Sequence, residues 1–410
     1  MTRPPTSRQF SMRPESELLV WCARTAVTDA LKERIRQRVQ EPLDWGVVLE
    51  LAGYHGVGPL LYRNLSTLCS DLVPAESLTQ LRQRTQAGAL LNRLLAQELV
   101  VLCEAFAAHG VPVIPIKGVT LAASAYGDLT LRDFSDLDLL VPERSISEAQ
   151  AILLAQGYER EAPSSEPNEP DHEEGPYHVF IKKRTLFRVD LQWVMAHHHF
   201  TFQLDRPEFW QRQTPVTLAN KTVLGLAPED LLIVLCVHGS KHAWEALKWV
   251  CDVAELLRAH DHLDWDWIFA SASKWRCRRL VLMGLSLAHL LFDVRLPEAV
   301  LTRLSADPDV QMFSHRMPST LLADPRIGVS ETEAVALYFS LKDSWWERWR
   351  FGLILCRDQS PIVMTPPVWF RWHTSLTRLA RFVIPLHRTL RSLFPSTIRG
   401  AINRWVAHGG

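Results

Sequence analysis

Paired cysteines, long apolar runs and internal repeats are all lacking in this chain of 410 residues. Its seven cysteines are scattered without a C-x-x-C pair, which argues against a disulfide framework and against a zinc ribbon. No stretch offers 18 uninterrupted apolar residues, so no membrane-spanning helix is expected. The first fifteen residues carry charges and prolines in place of an apolar run, so no signal peptide is indicated. These absences predict a cytoplasmic protein in a reducing setting.

The charge of the chain is balanced in total but unevenly distributed. The formal net charge is +0, yet segment 344–410 holds ten arginines, no lysine and two acidic residues, giving it +8 and the rest of the chain −8. This asymmetry predicts a basic, Trp- and Arg-rich C-terminal region that contacts something anionic. A peripheral membrane surface, a nucleic acid, another protein and the acidic main body are all candidates.

The apolar pattern predicts four regions. Residues 16–110 repeat leucines at helical spacing, 111–225 alternate short β-rich segments with helices, and the pattern is helical again from Pro228. We therefore predict a helical N-terminal region (1–110), a catalytic core (111–225), a helical domain (226–330) and the basic C-terminal region (331–410). The fold class is α+β, with a small mixed sheet and flanking helices embedded between helical N- and C-terminal regions.

Segment 134–141 sets Asp136 and Asp138 inside an otherwise apolar strand pattern. Because side chains alternate along a strand, both carboxylates point to one face, roughly 6–7 Å apart. Two unpaired carboxylates in a core are costly, so a cation should neutralise them, and Mg²⁺ prefers such oxygen ligands. The alternative is a solvated strand end before a turn at Pro142.

A second strand pattern, 187–193, carries Asp190 on the same face as Arg188 and Gln192. If this strand lies beside segment 134–141, three carboxylates converge, and such a triad can hold two metal ions about 3.5–4 Å apart. The alternative for Asp190 alone is a surface carboxylate on a solvated sheet face.

Lys117-Gly118 stands between a strand pattern and a helix pattern. Glycine lets backbone N–H groups approach a phosphate closely, while the helix N-terminus and Lys117 add positive charge. The dipeptide therefore predicts a phosphate-binding turn, with an ordinary strand–helix turn as the alternative.

Taken together, these motifs resemble a known family. They are Ile116-Lys117-Gly118, Tyr126-Gly127-Asp128, Arg132, segments 135–141 and 189–193, and the helical stretch 228–254 with His238, His242, Lys248 and Asp252. The combination is similar to the signature of the uncharacterised bacterial nucleotidyltransferase family, part of the polymerase-β-like nucleotidyltransferase superfamily.

The resemblance implies a polymerase-β-like nucleotidyltransferase core in which Asp136 and Asp138 bind two catalytic Mg²⁺ ions. Asp190 would complete the metal site and take the acceptor's proton. Lys117 and Gly118 would replace the superfamily's Gly-Ser phosphate loop, although Val119 stands where a hydroxyl residue is expected. Gln192 stands where members often carry His. The predicted nucleotide-binding residues are Lys117, Gly118, Ser135, Arg132, His238, His242 and Lys248.

The helical segment after the sheet carries His238, His242 and Lys248. The two histidines share a helix face at their i,i+4 spacing. This predicts a cleft wall that contacts the nucleotide or the acceptor, with Lys248 on a phosphate. The alternative is a packed amphipathic helix whose histidines hydrogen-bond locally.

The predicted function is a Mg²⁺-dependent nucleotidyltransferase that moves an NMP group from an NTP to an acceptor hydroxyl or phosphate. The sequence leaves open the choice among ATP, GTP, CTP and UTP. It also leaves open the acceptor, which could be a small molecule, sugar, peptide, protein or nucleic acid end. The alternative is a non-catalytic nucleotide- or partner-binding protein on the same fold, from a biosynthetic cluster or a toxin–antitoxin system.

Overall fold

A computed structural model of the chain describes residues 12–161, 177–197, 200–218, 220–322 and 330–357. Five helices precede the first strand: α1 (Pro14–Cys22), α2 (Asp29–Gln40), α3 (Trp45–Tyr54), α4 (Gly58–Leu68) and α5 (Ala75–Ala108). The long helix α5 ends just before Gly110, whose φ of +68° is a conformation that glycine adopts without strain. The helical prediction for residues 16–110 is confirmed.

A five-stranded mixed sheet follows. Its strands are β1 (Ile114–Pro115), β2 (Asp136–Leu140), β3 (Tyr158–Arg160), β4 (Tyr177–Lys182) and β5 (Arg188–Gln192). They lie in the order β1-β2-β5-β4-β3, with β2 and β5 parallel and the other neighbours antiparallel. The predicted α+β class with a small mixed sheet is confirmed.

Helical segments connect the first three strands of the sheet. Between β1 and β2 run α6 (Val119–Leu121), a π-helical turn (Ala122–Tyr126) and a 3-10 turn (Leu129–Leu131), so the helical segment after Gly118 changes type midway. Helix α7 (Ile146–Ala155) joins β2 to β3. Ser145 precedes it but makes no side-chain capping bond, because a 3-10 turn (Glu143–Ser145) already leads into the helix.

One apolar core lies on one face of the sheet. Leu139 of β2 and Leu191 of β5 are fully buried with Leu102 and Phe106 of α5 in a single apolar cluster. Because side chains alternate along a strand, burying these leucines turns the aspartates of β2 and β5 to the opposite face. The same packing that holds the sheet to α5 therefore determines where the acidic residues lie.

Two hairpins and a set of helices complete the first unit, residues 1–343. The hairpins are β6 (Val194–His197) with β7 (Phe200–Gln203) and, after α8 (Pro207–Gln211), β8 (Thr214–Leu218) with β9 (Lys221–Gly225). The helices are α9 (Pro228–Lys241), α10 (Leu247–Ala259), α11 (Trp265–Lys274), α12 (Arg278–Phe292), α13 (Glu298–Ser305), α14 (Pro308–Leu321) and α15 (Glu331–Ser340). The predicted helix start at Pro228 is confirmed.

A buried tryptophan organises the turn from α9 to α10. Ala243 and Trp244 have φ values of +49° and +55°, and the Trp244 side chain is fully buried. A Cβ added to Gly239 would lie 2.4 Å from the Trp244 ring, so only glycine lets the ring pack there. This close approach sets the direction in which α10 leaves α9.

The second unit, residues 344–410, contributes helix α16 (Trp345–Arg357) to the described residues. Trp346 stacks on Trp349 with ring centroids 4.9 Å apart. Among the described residues, no helix combines the length and apolarity needed to cross a membrane. Residues 358–410 of the predicted basic C-terminal region lie outside the described residues, and the four-domain division stays a prediction.

Candidate active site

Three carboxylates meet where β2 and β5 run side by side. Asp138 lies directly opposite Asp190 in the parallel pair, and Asp136 precedes Asp138 on the same face. One carboxylate oxygen from each of the three lies within 4.8 Å of the others, close enough to bind a common metal ion. Asp138 is buried, whereas Asp136 and Asp190 are half-buried. The prediction that the two strands bring three acids together is confirmed.

Both oxygens of the Asp138 carboxylate contact other side chains. The Lys117 Nζ lies 2.9 Å from Oδ2, and the Gln192 Nε2 donates a hydrogen bond of 2.6 Å to Oδ1. Burial raises the pKa of Asp138 to about 6, in spite of the opposing charge of Lys117. Burial lowers the pKa of Lys117, but the charges of Asp138 and Asp136 raise it further, so the net shift is upward. Lys117 is therefore a protonated partner of Asp138.

Asp190 has an arginine partner on its own strand. The Arg188 Nε lies 2.8 Å from Asp190 Oδ1. Arg188 also lies directly across from Asp136 in the parallel pair. One guanidinium therefore stands beside two of the three acids.

Gly118, in the predicted phosphate-binding turn, has a backbone conformation that favours glycine over other residues. Gly118 has φ +57° and ψ −114° at the start of α6, and an added Cβ would lie 3.5 Å from the Asp136 carbonyl oxygen. The turn thus lies directly against the start of β2. Lys117 points from it toward the acids.

Arg132 binds a carboxylate of α10. Its Nε and Nη2 donate to Asp252 Oδ1 and Oδ2 at 2.7 and 2.8 Å, and the Tyr126 hydroxyl donates to the same Oδ1 at 2.7 Å. This buried network joins α10 to the segment that leads into β2. Ser135, the residue before β2, is exposed.

His238 and His242 lie close together at the C-terminal end of α9. Their ring centroids are 4.8 Å apart, and His242 stacks on Trp249 of α10 at 4.7 Å. Burial, with the charge of Lys117, lowers the pKa of His238 well below its usual value, so this imidazole is neutral. Lys248 is half-buried, with Nζ 5.9 Å from the Trp249 ring centroid.

Lys241 is a further candidate that the sequence did not single out. It lies one turn beyond His238 on α9, with Nζ 5.9 Å from the ring centroid of Tyr177 on β4. Burial and the charge of Lys117 lower its pKa to about 8, while Asp138 and Asp190 oppose that shift. Its helical spacing from His238 is the only sequence signal that could have identified it.

The chain matches the model of one protein family. That family is described as "Uncharacterised nucleotidyltransferase", and the match covers residues 41–293. The matched segment contains every residue of the site described above. No curated protein matches the chain significantly.

Solved structures of nucleotidyltransferases are similar to parts of the chain. ANT(2'')-Ia in complex with adenylyl-2''-tobramycin has 13% identity and a TM-score of 0.33, covering 45% of this chain and 98% of its own. A solution structure of the same antibiotic-resistance factor has 13% identity and a TM-score of 0.28, covering 54% and 98%. An antigenic nucleotidyltransferase-like protein from Paracoccidioides brasiliensis has 16% identity and a TM-score of 0.32, covering 51% and 96%.

Proposed function

The chain belongs to the uncharacterised nucleotidyltransferase family, and from that premise we propose that it transfers an NMP group from an NTP to an acceptor hydroxyl or phosphate, with release of pyrophosphate. Membership confirms the resemblance from which the polymerase-β-like core was predicted. The observation that carries the proposal is the convergence of Asp136, Asp138 and Asp190, whose oxygens lie within 4.8 Å of one another.

The acidic residues suit a divalent metal. Carboxylate oxygens are the ligands that Mg²⁺ prefers, and the site already draws a cation, the Lys117 ammonium, onto Asp138. Asp136, Asp138 and Asp190 would hold the metal, which we propose to be two Mg²⁺ ions. When bound, they supply charge neutralisation for the triphosphate and lower the pKa of the attacking hydroxyl.

The chain's own residues then have separate roles. The acceptor oxygen attacks the α-phosphorus of the NTP, the bond from that phosphorus to the bridging oxygen of the β-phosphate breaks, and pyrophosphate leaves. Asp190, which is half-buried rather than buried, accepts the acceptor's proton. Lys117 and the Gly118 backbone contact the leaving phosphates.

The wall formed by α9 and α10 would bind the rest of the nucleotide. His238 is neutral, so we assign it a hydrogen bond to the nucleotide rather than an ion pair with phosphate. His242 lies in an aromatic stack that suits contact with a base, and Lys248 supplies a cation for a phosphate. The exposed hydroxyl of Ser135 would donate a hydrogen bond to the nucleotide.

Arg132 would support nucleotide binding from a distance. Two of its guanidinium nitrogens, Nε and Nη2, already donate hydrogen bonds to Asp252. We therefore assign it the role of holding the segment that leads into Ser135 and Asp136, rather than direct contact with the nucleotide.

A transfer assay provides the test. The protein is incubated with Mg²⁺, fractionated cell lysate and one labelled nucleotide at a time, which is ATP, GTP, CTP or UTP. The unaltered protein should transfer label from at least one NTP, and the mass of the labelled product identifies the acceptor. Asp138→Ala should abolish transfer while circular dichroism stays unchanged. Equal transfer by Asp138→Ala would overturn the proposed mechanism.

One observation favours the non-catalytic alternative. Both oxygens of Asp138 are bonded to protein groups, as in a carboxylate with a structural role. Calorimetry with Mg²⁺ and each NTP separates the two functions. Tight binding without pyrophosphate release, in the presence of every lysate fraction, would support a binding protein.

The C-terminal region would contact an anionic membrane surface peripherally. Trp345 and Trp346 are 71% and 45% exposed at the start of α16, and segment 344–410 carries a formal charge of +8. Tryptophan and arginine together suit the interface of an anionic bilayer. In a flotation assay, vesicles containing phosphatidylserine should carry the full chain, and the Trp345→Ser, Trp346→Ser double variant should float less. Equal flotation would contradict membrane contact by these tryptophans.

We propose a cytoplasmic location on the basis of cysteine chemistry. Six cysteines within the described residues are free thiols. Burial raises the pKa of Cys103 to about 12 and that of Cys69 to about 11, so both thiols stay protonated and inert. Free thiols of this kind suit a reducing compartment.

A further inference from the structure

The ammonium of Lys117 lies against one carboxylate oxygen of Asp138, a proposed metal ligand. Asp138 Oδ2 contacts Lys117 Nζ at 2.9 Å, while Oδ1 accepts the hydrogen bond from Gln192 at 2.6 Å. The neutral amide of Gln192 occupies one oxygen without adding charge. Oδ2 is therefore the oxygen of Asp138 that faces a cation.

Lys117 and a divalent ion would compete for Oδ2. Mg²⁺ binds carboxylate oxygens at about 2.0–2.1 Å, which would set it next to an ammonium that is itself in contact with the same oxygen. Two like charges at such a separation repel strongly when they are shielded from water. Only 13% of the Lys117 side chain and 2% of the Asp138 side chain are exposed, so solvent screens the repulsion little.

Of the two partners, Lys117 has the longer and more flexible side chain. Asp138 belongs to β2, is 4% exposed, and stands between Leu137 and Leu139, which are buried in the core. Lys117 precedes a glycine in a turn and carries its charge on a flexible four-carbon stem. Binding of an ion at Oδ2 therefore favours movement of the lysine away from Asp138.

We propose that Lys117 is an exchangeable cation of this site, pairing with Asp138 in the metal-free protein and leaving it when a divalent ion binds. The released ammonium is then available to the triphosphate of the incoming nucleotide. This inference rests on the proposed function. It couples metal binding to phosphate binding through one side chain, so each ligand should strengthen the binding of the other.

Direct measurement of Mn²⁺ binding by electron paramagnetic resonance tests the exchange. The full-length, metal-stripped protein should bind Mn²⁺ at least about tenfold more weakly than Lys117→Met, because the variant removes a competing charge-assisted contact. Lys241→Met is the matched control, since it removes one positive charge near the same acids but none in contact with Asp138. Its gain in affinity should be clearly smaller.

The experiment distinguishes failure of the Lys117 exchange from failure of the proposed metal-dependent function. Equal Mn²⁺ affinity in all three proteins, or equal gains in Lys117→Met and Lys241→Met, would overturn the exchange but leave the metal site in place. No Mn²⁺ binding by any of them would overturn the metal site and the proposed function as well.

A second measurement uses the unaltered protein and does not depend on the folding of a variant. Acylation of Lys117 by an amine-reactive reagent, read by peptide mass spectrometry, should increase when Mn²⁺ is added, because the amine leaves a buried ion pair. Labelling of Lys117 that is unchanged by Mn²⁺ would overturn the exchange.

Discussion

At the scale of single residues, the environment of Asp138 decides what the site can do. Its carboxylate has a charged partner on one oxygen and a neutral partner on the other. The neutral partner fixes the orientation of the carboxylate without competing for a cation. Gln192 is therefore a positioning residue, although the sequence marked it only as a departure from the family pattern.

Replacing Gln192 with leucine should lower both metal affinity and turnover. The change removes the hydrogen bond to Asp138 Oδ1, and loss of such a support to a metal ligand costs about 10–100-fold. Mn²⁺ titration and pyrophosphate release measure the two effects. Gln192→His, which keeps a donor, should recover most of the loss, whereas Gln192→Leu with unchanged Mn²⁺ affinity would exclude the positioning role.

The sequence located the acids but could not locate the partners of Asp138. Alternation along a strand places Asp136 and Asp138 on one face regardless of the rest of the fold. The contact between Gln192 and Asp138 spans 54 positions and depends on which strands are neighbours. No local pattern carries that information, and the same holds for the pairing of Lys117 with Asp138.

At the scale of elements, the site depends on how α10 is joined to the segment before β2. Arg132 and Asp252 form a two-point ion pair that is almost fully buried, with side-chain exposures of 9% and 1%. The pair spans 120 positions, so the sequence could suggest only that Arg132 belongs to the family motif. Its structural partner became apparent only from the packing of α10.

Asp252→Ala should destabilise the protein by about 3–5 kcal/mol, because it leaves the Arg132 guanidinium buried and unpaired. Urea unfolding followed by circular dichroism measures the change. Asp29→Ala is the matched control, since Asp29 pairs with Lys32 on an exposed helix surface and should leave the unfolding midpoint unchanged. Equal midpoints for the two variants would contradict the role assigned to the buried pair.

Element types followed from sequence more readily than their boundaries and irregularities. Helical periodicity predicted that residues 16–110 are helical but not their division into α1 to α5, and period-two patterns predicted β2 and β5. The π-helical turn at Ala122–Tyr126 and the positive φ values of Ala243 and Trp244 were not predictable. These features arise from tertiary packing, such as that of Trp244 against Gly239, which overrides local preference.

At the scale of the whole molecule, buried histidines make folding sensitive to acid. His55 joins α3 to α10, since its Nδ1 accepts a hydrogen bond from the Leu247 N–H at 3.3 Å. Burial lowers the pKa of His55 to about 4 and, with the charge of Arg160, that of His178 to about 4. Both imidazoles are therefore neutral in the folded protein at neutral pH.

Stability should fall as pH decreases from about 6.5 toward 4. Over this interval the unfolded chain binds protons at histidines that the folded protein keeps neutral, so acid favours unfolding. His55 alone would account for up to about 3 kcal/mol of this loss. Urea unfolding across this pH range measures the slope, and His55→Gln should flatten it. An identical slope in the variant would contradict a neutral, buried His55.

The central claim is that Asp136, Asp138 and Asp190 together bind divalent metal. Crystals soaked in Mn²⁺, with anomalous scattering recorded near the manganese edge, test it most directly. The account predicts at least one anomalous peak within bonding distance of all three carboxylates, with Lys117 turned away from Asp138. Saturating Mn²⁺ with no peak at these carboxylates, and Lys117 still paired with Asp138, would contradict it.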